Sequence, residues 1–256
     1  MPTFHKNDPA APAGLFACEA AGLQWLCAAE GGARCVPVLD YDETGLILEH
    51  IEQSQPTRAV AADFGSRLAR THNAGATAFG APPAGWTGPG FFGPTSRPLP
   101  MSYSAHRSWG VFYAEERLAP MLQRAGRILT AQIAADVRSV IERCRAGDFD
   151  DADHPARLHG DLWGGNLLWT SDAVVLIDPA AHGGHRETDL AMLELFGCPH
   201  LDAVMAGYQS VQPLRAGRRD RVALHQLFPL LAHVVLFGSG YTAATGRAAR
   251  AALEIS

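Results

Sequence analysis

The sequence predicts an α+β fold with two unequal lobes: an N-terminally truncated small lobe in residues 1–51 and a mainly helical large lobe in residues 52–256. Short apolar runs bounded by turn residues are concentrated before residue 51, which is typical of strands. After residue 57 most apolar residues recur at helical spacing. A composition of 47% hydrophobic and 18% charged residues is sufficient for a buried core.

The first 51 residues predict a small sheet packed against one helix. Residues 3–6 are a very short possible strand, and apolar residues at helical spacing follow in residues 15–26. Two apolar runs, residues 35–40 and 46–51, flank a polar turn and predict a pair of strands.

The rest of the chain predicts helices, interrupted by one long loop. Thr57 can cap a helix that ends near residues 72–75. Residues 76–101 are rich in Gly and Pro and predict an irregular segment, whose aromatic residues indicate that it packs over the larger lobe. Pro229 predicts a kink in one of the later helices. Six further segments have helical spacing, at residues 109–122, 128–147, 190–196, 201–208, 222–237 and 242–253.

Charge, cysteine content and apolar patterning narrow the possible partners and the compartment. The formal net charge is -5, which provides no positive field for nucleic acid or an acidic membrane. The five cysteines are odd in number and show no C-x-x-C spacing, which favours reduced thiols over disulfides or a zinc site. Residues 1–11 lack the apolar run of a signal peptide, and residues 222–237 are shorter than a membrane span. We therefore expect a cytoplasmic protein that binds neither nucleic acid nor membrane.

The residues that can carry chemistry are concentrated between positions 158 and 179. The pattern H-x-D-x-x-x-x-N covers His159, Asp161 and Asn166, and a short apolar strand then leads to Asp178. Asp and Asn in a Gly-rich loop often only form turns. The following strand that ends in an acid favours the kinase catalytic loop and metal strand, which have this order. We interpret Asp161 as the base for the attacking hydroxyl, and Asn166 and Asp178 as Mg²⁺ ligands at the phosphates of ATP.

The same stretch resembles the fructosamine kinase (ketosamine-3-kinase) family. The resemblance rests on HGDLWGGN at residues 159–166, IDPA at 177–180 and GHRETDLAM at 184–192. It implies a protein-kinase-like fold of the aminoglycoside-phosphotransferase branch, with ATP and Mg²⁺ as cofactors. It also implies phosphorylation of the 3-hydroxyl of a fructosamine or ribulosamine, carried by a small amine or by a lysine of a glycated protein, as a deglycation repair.

Two nucleotide-binding groups follow from position and from this resemblance. Lys6 ends a strand and Glu19 lies one turn into a helix, so the two can form the ion pair that holds the α- and β-phosphates. The alternative is a solvated lysine and a surface acid. The resemblance places the family's pair here, and it makes Glu49, His50 and Ile51 the adenine-contacting positions. On the residues alone, those three could equally end a buried strand.

Three residues are candidates for contact with the acceptor substrate. Trp163 lies inside the catalytic loop, where it can stack on the sugar or simply wedge the loop. His185 and Arg186 belong to a segment that borders the acceptor site in the family. Asp189, close behind them at a helix start, is interpreted as structural, because an acid there suits the helix dipole and can anchor the catalytic loop.

Only five residues precede Lys6, so the Gly-rich hairpin that covers the phosphates in kinases has no counterpart in this sequence. Three explanations stay open: a start codon assigned too late, a shortened member that binds nucleotide weakly, or a member without catalysis. Because Asp161, Asn166 and Asp178 are all present, we favour a kinase with a shortened N-terminal region. The rival functions are a related aminoglycoside, choline or homoserine kinase, and a catalytically impaired nucleotide-binding module.

Overall fold

The computed structural model describes residues 2–255 and begins with a small sheet and a helix. In chain order these elements are β1 (Thr3–Asn7), α1 (Leu15–Cys27), β2 (Arg34–Cys35), β3 (Val38–Tyr41) and β4 (Gly45–Glu49). β4 lies between β1 and β3 and is antiparallel to both. The register places Lys6 opposite Leu46, and α1 packs against β3 and β4.

The remaining elements are mainly helices with short strands between them. The helices are α2 (Arg58–Asn73), α3 (Trp109–Phe112), α4 (Ala119–Ala125), α5 (Ala131–Ala146), α6 (Arg186–Phe196), α7 (Leu201–Val211), α8 (Arg218–Phe237) and α9 (Thr242–Leu253). The strands are β5 (Gly90–Phe92), β6 (Leu99–Met101), β7 (Ala156–Leu158), β8 (Leu167–Trp169), β9 (Val174–Leu176) and β10 (His182–Gly184). Within residues 2–255, no helix combines the length and the apolar character that crossing a bilayer requires.

The predicted strand at residues 35–40 is divided between two sheets. β2 runs parallel to β9, and the N–H of Val36 donates to the carbonyl of Leu176. β3 then pairs with β4 after Pro37. Since proline has no N–H for a ladder, the chain can change sheets at this point. This division links the N-terminal segment directly to the strand that precedes Asp178.

Side-chain caps set the starts of the long helices. Thr57 accepts a hydrogen bond from the N–H of Val60 at the start of α2, as predicted. Helix α6 begins at Arg186 and not near residue 190, because the side chain of His185 accepts from the N–H of Glu187 and caps the helix earlier. Between α3 and α4 the chain continues as a π-helical turn, Tyr113–Leu118.

The Gly- and Pro-rich segment is more regular than predicted. β5 and β6 form an antiparallel hairpin within it, and Phe92 is buried against Phe228 of α8 with ring centroids 5.0 Å apart. Arg97, in the turn of the hairpin, donates to the carbonyls of Val235 and Leu236. The segment therefore packs over the larger lobe, as expected, and reaches the C-terminal end of α8.

Two hydrophobic clusters form the core. One joins α1, β4 and α2 to β8, β9 and α7, and the other joins the β5–β6 hairpin to α3–α5, α8 and α9. The first cluster extends across residue 51, so the lobe boundary at that position stays a prediction. The residues predicted for chemistry lie in the loops that follow β7 and β9, beside the first cluster.

Candidate active site

His159 holds the loop between β7 and β8 in place. Its Nδ1 accepts the N–H of Asp161 at 3.2 Å, and its Nε2 donates to the carbonyl of Ile177 at 2.9 Å. Burial lowers the pKa of His159, which keeps the ring neutral and suits this division of donor and acceptor roles. His159 therefore positions the loop and does not face the cavity described below.

Asp189 anchors the same loop from α6. It is buried and accepts the N–H groups of His159 at 2.8 Å and Gly160 at 2.9 Å, together with Nε2 of His72 at 3.2 Å. Burial acts to raise the pKa of Asp189, but the contacts from His72, His159 and Gly160 outweigh it and the pKa is lowered. The structural role predicted for this ionised acid is confirmed.

Gly160 is required by the close approach of two loop segments. It has a φ of +82°, and a Cβ at this position would lie 2.1 Å from the carbonyl oxygen of Ala180. No other residue fits both conditions. The glycine of the motif therefore allows Asp161 to approach the segment that carries Asp178.

The structure brings Asp161, Asn166 and Asp178 together around one cavity. Nδ2 of Asn166 donates to the carbonyl of Asp161 at 2.8 Å, and it lies 3.4 Å both from Oδ2 of Asp161 and from the carbonyl of Asp178. Asp178 follows β9 with a φ of +54°, a left-handed conformation that Asp tolerates better than most residues. Two carboxylates and one carboxamide thus converge at a single place.

Lys6 joins this group from β1. Its Nζ lies 2.9 Å and 2.7 Å from the two carboxylate oxygens of Glu19 and 3.1 Å from Oδ1 of Asp178. Burial alone would lower the pKa of Lys6, but the attraction of the two carboxylates outweighs it and the pKa is raised. The ammonium is therefore charged and fixed beside Asp178.

Two cavities meet at Lys6 and Asp178. The Asp161 cavity has a volume of about 240 Å³, and its lining includes Lys6, Glu19, Asp161, Trp163, Asn166, Asp178, His233, Leu236 and Phe237. The hinge cavity has a volume of about 350 Å³ and is lined by Phe4, Lys6, Val36, Leu48, Glu49, His50, Ile51, Gln53, Leu168, Ile177 and Asp178. Eleven residues were predicted for catalysis, nucleotide, metal and substrate, and nine of them line these two cavities. The exceptions are His185 and Arg186.

Comparison with known proteins identifies the family. A sequence profile described as Fructosamine kinase matches residues 1–254. The chain belongs to the fructosamine kinase family. A relative from Synechocystis, assigned as a ketoamine kinase, is 34% identical over 242 residues, which cover 93% of this chain and 78% of the relative. The ketosamine-3-kinase of Mus musculus is 35% identical over 144 residues, 56% of this chain and 46% of the mouse protein.

Solved structures of related proteins confirm the protein-kinase-like fold. The crystal structure of a Thermobifida fusca protein, assigned as a fructosamine-3-kinase, superposes with a TM-score of 0.90 at 46% identity and covers 99% of this chain and 86% of that chain. A choline/ethanolamine kinase family protein from Mesorhizobium loti has a TM-score of 0.61 at 14% identity, over 100% of this chain and 83% of its own, which shows the fold alone. As a fructosamine kinase family member, the chain is a phosphotransferase with a hydroxyl group as acceptor, and ATP is the donor that the family implies, typically with Mg²⁺.

In this family member, Trp163 folds back over its own loop. A Cβ at Gly165 would lie 2.2 Å from the Trp163 ring, so the second glycine of Trp-Gly-Gly leaves space for the indole. The ring is 41% exposed and forms part of the wall of the Asp161 cavity. Both interpretations of Trp163 thus have a structural basis, because it packs on the loop and also faces the cavity.

His185 and Arg186 lie apart from the Asp161 cavity. Both side chains are buried: Nε2 of His185 is 3.2 Å from Oδ2 of Asp151, and Nε of Arg186 is 3.2 Å from Oδ2 of Asp153. Ligand atoms of His185, Asp151 and Asp153 are close enough to hold a metal ion, a proximity that the sequence spacing did not reveal. Arg215, however, already binds Asp151, so this cluster is an ion-pair network that fixes the start of α6. Neither residue lines the Asp161 cavity or the hinge cavity, so their contact with the acceptor substrate stays a prediction.

The sequence did not reveal the wall that α8 adds to the cavity. His233, Leu236 and Phe237 line it, although the sequence predicted residues 222–237 only as a helix, without a role in the site. The N–H at Nδ1 of His233 donates to the carbonyl of Pro229 at 2.7 Å, and burial lowers the pKa of this ring. His233 is a polar residue within the apolar helix α8, which was the only signal in the sequence. The spacing of the helix did not show that this side chain faces the cavity.

Asp161→Asn is expected to raise the free energy of unfolding by up to about 4 kcal/mol at alkaline pH. Burial, followed by repulsion from Asp178, raises the pKa of Asp161 from 3.8 to about 7. The unfolded chain loses this proton first, so ionisation in the folded state opposes folding. The difference between wild type and variant should be small near about pH 4, grow up to about pH 7 and stay constant above it.

Denaturant unfolding at the two ends of this pH range measures the effect. Asp202→Asn is the matched control, because Asp202 is exposed and pairs with Arg58 at the surface. A difference between wild type and Asp161→Asn that is equal at acidic and alkaline pH would show that the carboxyl group of Asp161 has an ordinary pKa.

Proposed function

We propose that this protein transfers the γ-phosphoryl group of Mg-ATP to a sugar hydroxyl of a ketosamine, such as a fructosamine or ribulosamine on a small amine or on a lysine of a glycated protein. The observation that supports this most directly is the pair of cavities that meet at Lys6 and Asp178. A nucleotide bound in the hinge cavity and a sugar bound in the Asp161 cavity would bring their reacting groups together where the two cavities meet.

On the nucleotide side, we assign the adenine to the hinge cavity. Glu49 ends β4, and His50 and Ile51 follow it; all three residues line this cavity. Val36 and Ile177 supply apolar surface for the ring. Lys6, held by Glu19, would then contact the α- and β-phosphates and stabilise the negative charge that develops there.

The donor set of Asn166 and Asp178 fits Mg²⁺. Carboxylate and carboxamide oxygens are the ligands that this ion takes in kinases. Nδ2 of Asn166 is directed at backbone carbonyls, and among the described residues no group donates to its Oδ1, which leaves that oxygen for a metal. Bound Mg²⁺ neutralises phosphate charge; the side chains of this chain hold it and orient the phosphates.

On the acceptor side, we assign the base to Asp161 and a sugar contact to Trp163. The acceptor oxygen forms a bond to the γ-phosphorus, the bond to the ADP oxygen breaks, and the hydroxyl proton passes to the carboxylate of Asp161. A pKa of about 7 suits a general base that works near neutral pH. The same assignment divides the chain into a small lobe, residues 1–51, and a catalytic lobe, residues 52–256.

We further propose a cytoplasmic deglycation role. Cys18, Cys27, Cys35, Cys144 and Cys198 are all free thiols. Unpaired cysteines are typical of proteins in reducing compartments. Ketosamines form there wherever sugars react with amines, and phosphorylation would mark them for breakdown.

The test is a steady-state assay of ADP release with a fructosamine acceptor, with phosphorus NMR to identify the sugar phosphate. We expect fructosamine-dependent ADP release, and no comparable turnover of choline, homoserine or an aminoglycoside. Turnover of one of those three alone would replace the ketosamine assignment. Binding of Mg-ATP in isothermal titration, without any turnover, would indicate a nucleotide-binding module.

A further inference from the structure

The Asp161 cavity is small for the substrates proposed above. Its volume of about 240 Å³ lies below the roughly 300–1,000 Å³ of pockets that enclose drug-sized ligands. A single sugar therefore occupies most of it. Any sizeable group on the ketosamine nitrogen has to continue through the mouth of the cavity to the surface. This step rests on the proposed function.

A group of contacting aromatic side chains, two of them exposed and three partly buried, lies beside the cavity. It consists of Trp163, Phe196, His233, Phe237 and Tyr241, which we call the aromatic rim. The ring centroids form a connected series: Trp163 to Phe196 at 6.4 Å, Phe196 to His233 at 4.6 Å, and His233 to Phe237 at 5.2 Å and to Tyr241 at 4.9 Å. Phe237 is 58% exposed and Trp163 is 41% exposed.

The rim is continuous with the cavity. Trp163, His233 and Phe237 line the cavity and also belong to the rim. A group that leaves the cavity at this side therefore passes directly from the sugar site onto aromatic faces. Contiguous exposed apolar surface next to a cavity is typical of a ligand-binding or interaction site.

The charges around the rim favour an apolar, uncharged occupant. Burial lowers the pKa of His233, and its Nδ1–H is already donated to Pro229, so the ring is neutral. The guanidinium of Arg97 is fixed on the carbonyls of Val235 and Leu236, directly before Phe237. This fixed positive charge at the edge of the rim opposes a cationic group there.

We propose that the aromatic rim is a second subsite, which binds an aromatic substituent on the acceptor nitrogen. The preferred acceptors are ketosamines of small aromatic amines, in which the sugar fills the Asp161 cavity and the aromatic ring packs against Phe237. Offset or edge-to-face contact between aromatic rings adds to the gain from burying apolar surface. Phe237 is then a specificity-determining residue, because it lies outside the group of side chains assigned to the chemistry.

The test compares two acceptors that differ only in the group on the amine. Fructosyl-benzylamine presents an aromatic ring to the rim, and fructosyl-ethanolamine presents a small polar group. In the wild type, kcat/KM should be higher for the benzyl acceptor. Phe237→Ser should reduce the ratio of the two kcat/KM values about tenfold, the effect of leaving roughly 60 Å² of apolar surface in water. The change should lie mainly in KM, because Phe237 contacts the substituent on the amine and none of the groups assigned to the chemistry.

Two further variants separate specificity from folding. Phe237→Tyr keeps the ring and should restore the ratio. Ile128→Ser removes another exposed apolar side chain, away from both cavities, and should leave the ratio unchanged. Because Phe237 is largely exposed, its replacement should have little effect on stability.

Three outcomes would overturn the inference. Equal kcat/KM for the two acceptors, with no change of ratio in Phe237→Ser, would show that the rim binds nothing on the amine side while leaving the proposed function intact. A fructosyl-lysine peptide preferred over fructosyl-benzylamine would assign the rim to glycated proteins. Phosphorylation of none of these acceptors would remove the proposed function, and this subsite with it.

Discussion

Asp161→Asn is expected to lower kcat for a fructosamine acceptor by roughly 10²–10⁴-fold, while the Kd for Mg-ATP changes by less than about twofold. The amide of asparagine has nearly the shape of the carboxylate but cannot take the proton of the attacking hydroxyl. Asp161 lines the Asp161 cavity and is absent from the lining of the hinge cavity, so the nucleotide loses no contact. ADP-release kinetics and isothermal titration with Mg-ATP measure the two quantities separately.

Asp202→Asn makes the same chemical change at an exposed carboxylate on α7 and should leave both quantities at their wild-type values. A parallel loss of nucleotide affinity in Asp161→Asn would be incompatible with the role given to Asp161. It would mean that this carboxylate contacts the metal or the phosphates and that the base is another group.

Asp178→Asn is expected to show the opposite pattern. Affinity for ATP in the presence of Mg²⁺ should fall at least about tenfold, because a charged metal ligand is replaced by a neutral one. Turnover should fall on the order of 10²–10³-fold, since phosphate charge is then poorly neutralised. Lys6 loses the negative charge at 3.1 Å on Asp178 but keeps its ion pair with Glu19, so the small sheet should stay folded.

Titrations with ATP in the presence and in the absence of Mg²⁺ distinguish this role from a purely structural one. The Asp178→Asn variant should lose the difference between the two conditions, whereas Asp161→Asn should retain it. If Asp178→Asn binds Mg-ATP as the wild type does, Asp178 is not a metal ligand.

The centre of the candidate site could be predicted because its groups are close in sequence. Asp161 and Asn166 lie on one loop, and the hairpin of β8 and β9 leads directly to Asp178, so local geometry brings the three residues near one another. The Lys6–Glu19 pair could also be predicted from the sequence, since a strand and the helix that follows it tend to pack together. The helices predicted at residues 15–26, after Thr57 and at residues 128–147 correspond to α1, α2 and α5 for the same reason, because helical spacing reflects local propensity and burial.

Features that depend on distant segments were not predictable in this way. His233 and Phe237 form a wall of the cavity because α8 ends beside the loop that carries Asp161 and Asn166. The hydrophobic periodicity of α8 does not predict which other segment the helix packs against. His185 was predicted to contact the substrate from its position in the sequence. In the structure its side chain is buried and contacts Asp151. The exchange of sheets at Pro37 likewise depends on β9, which lies far along the chain.

The junction of the two cavities at Lys6 and Asp178 has a kinetic consequence. If a nucleotide binds in the hinge cavity while a sugar binds beside Asp161, the phosphoryl group can be transferred directly from one ligand to the other. No phosphorylated side chain is then needed as an intermediate. Both substrates must then occupy the protein in a ternary complex, so initial-velocity plots at several acceptor concentrations intersect rather than run parallel. A single displacement also inverts the configuration at phosphorus, which a chirally labelled ATP would record in the sugar phosphate.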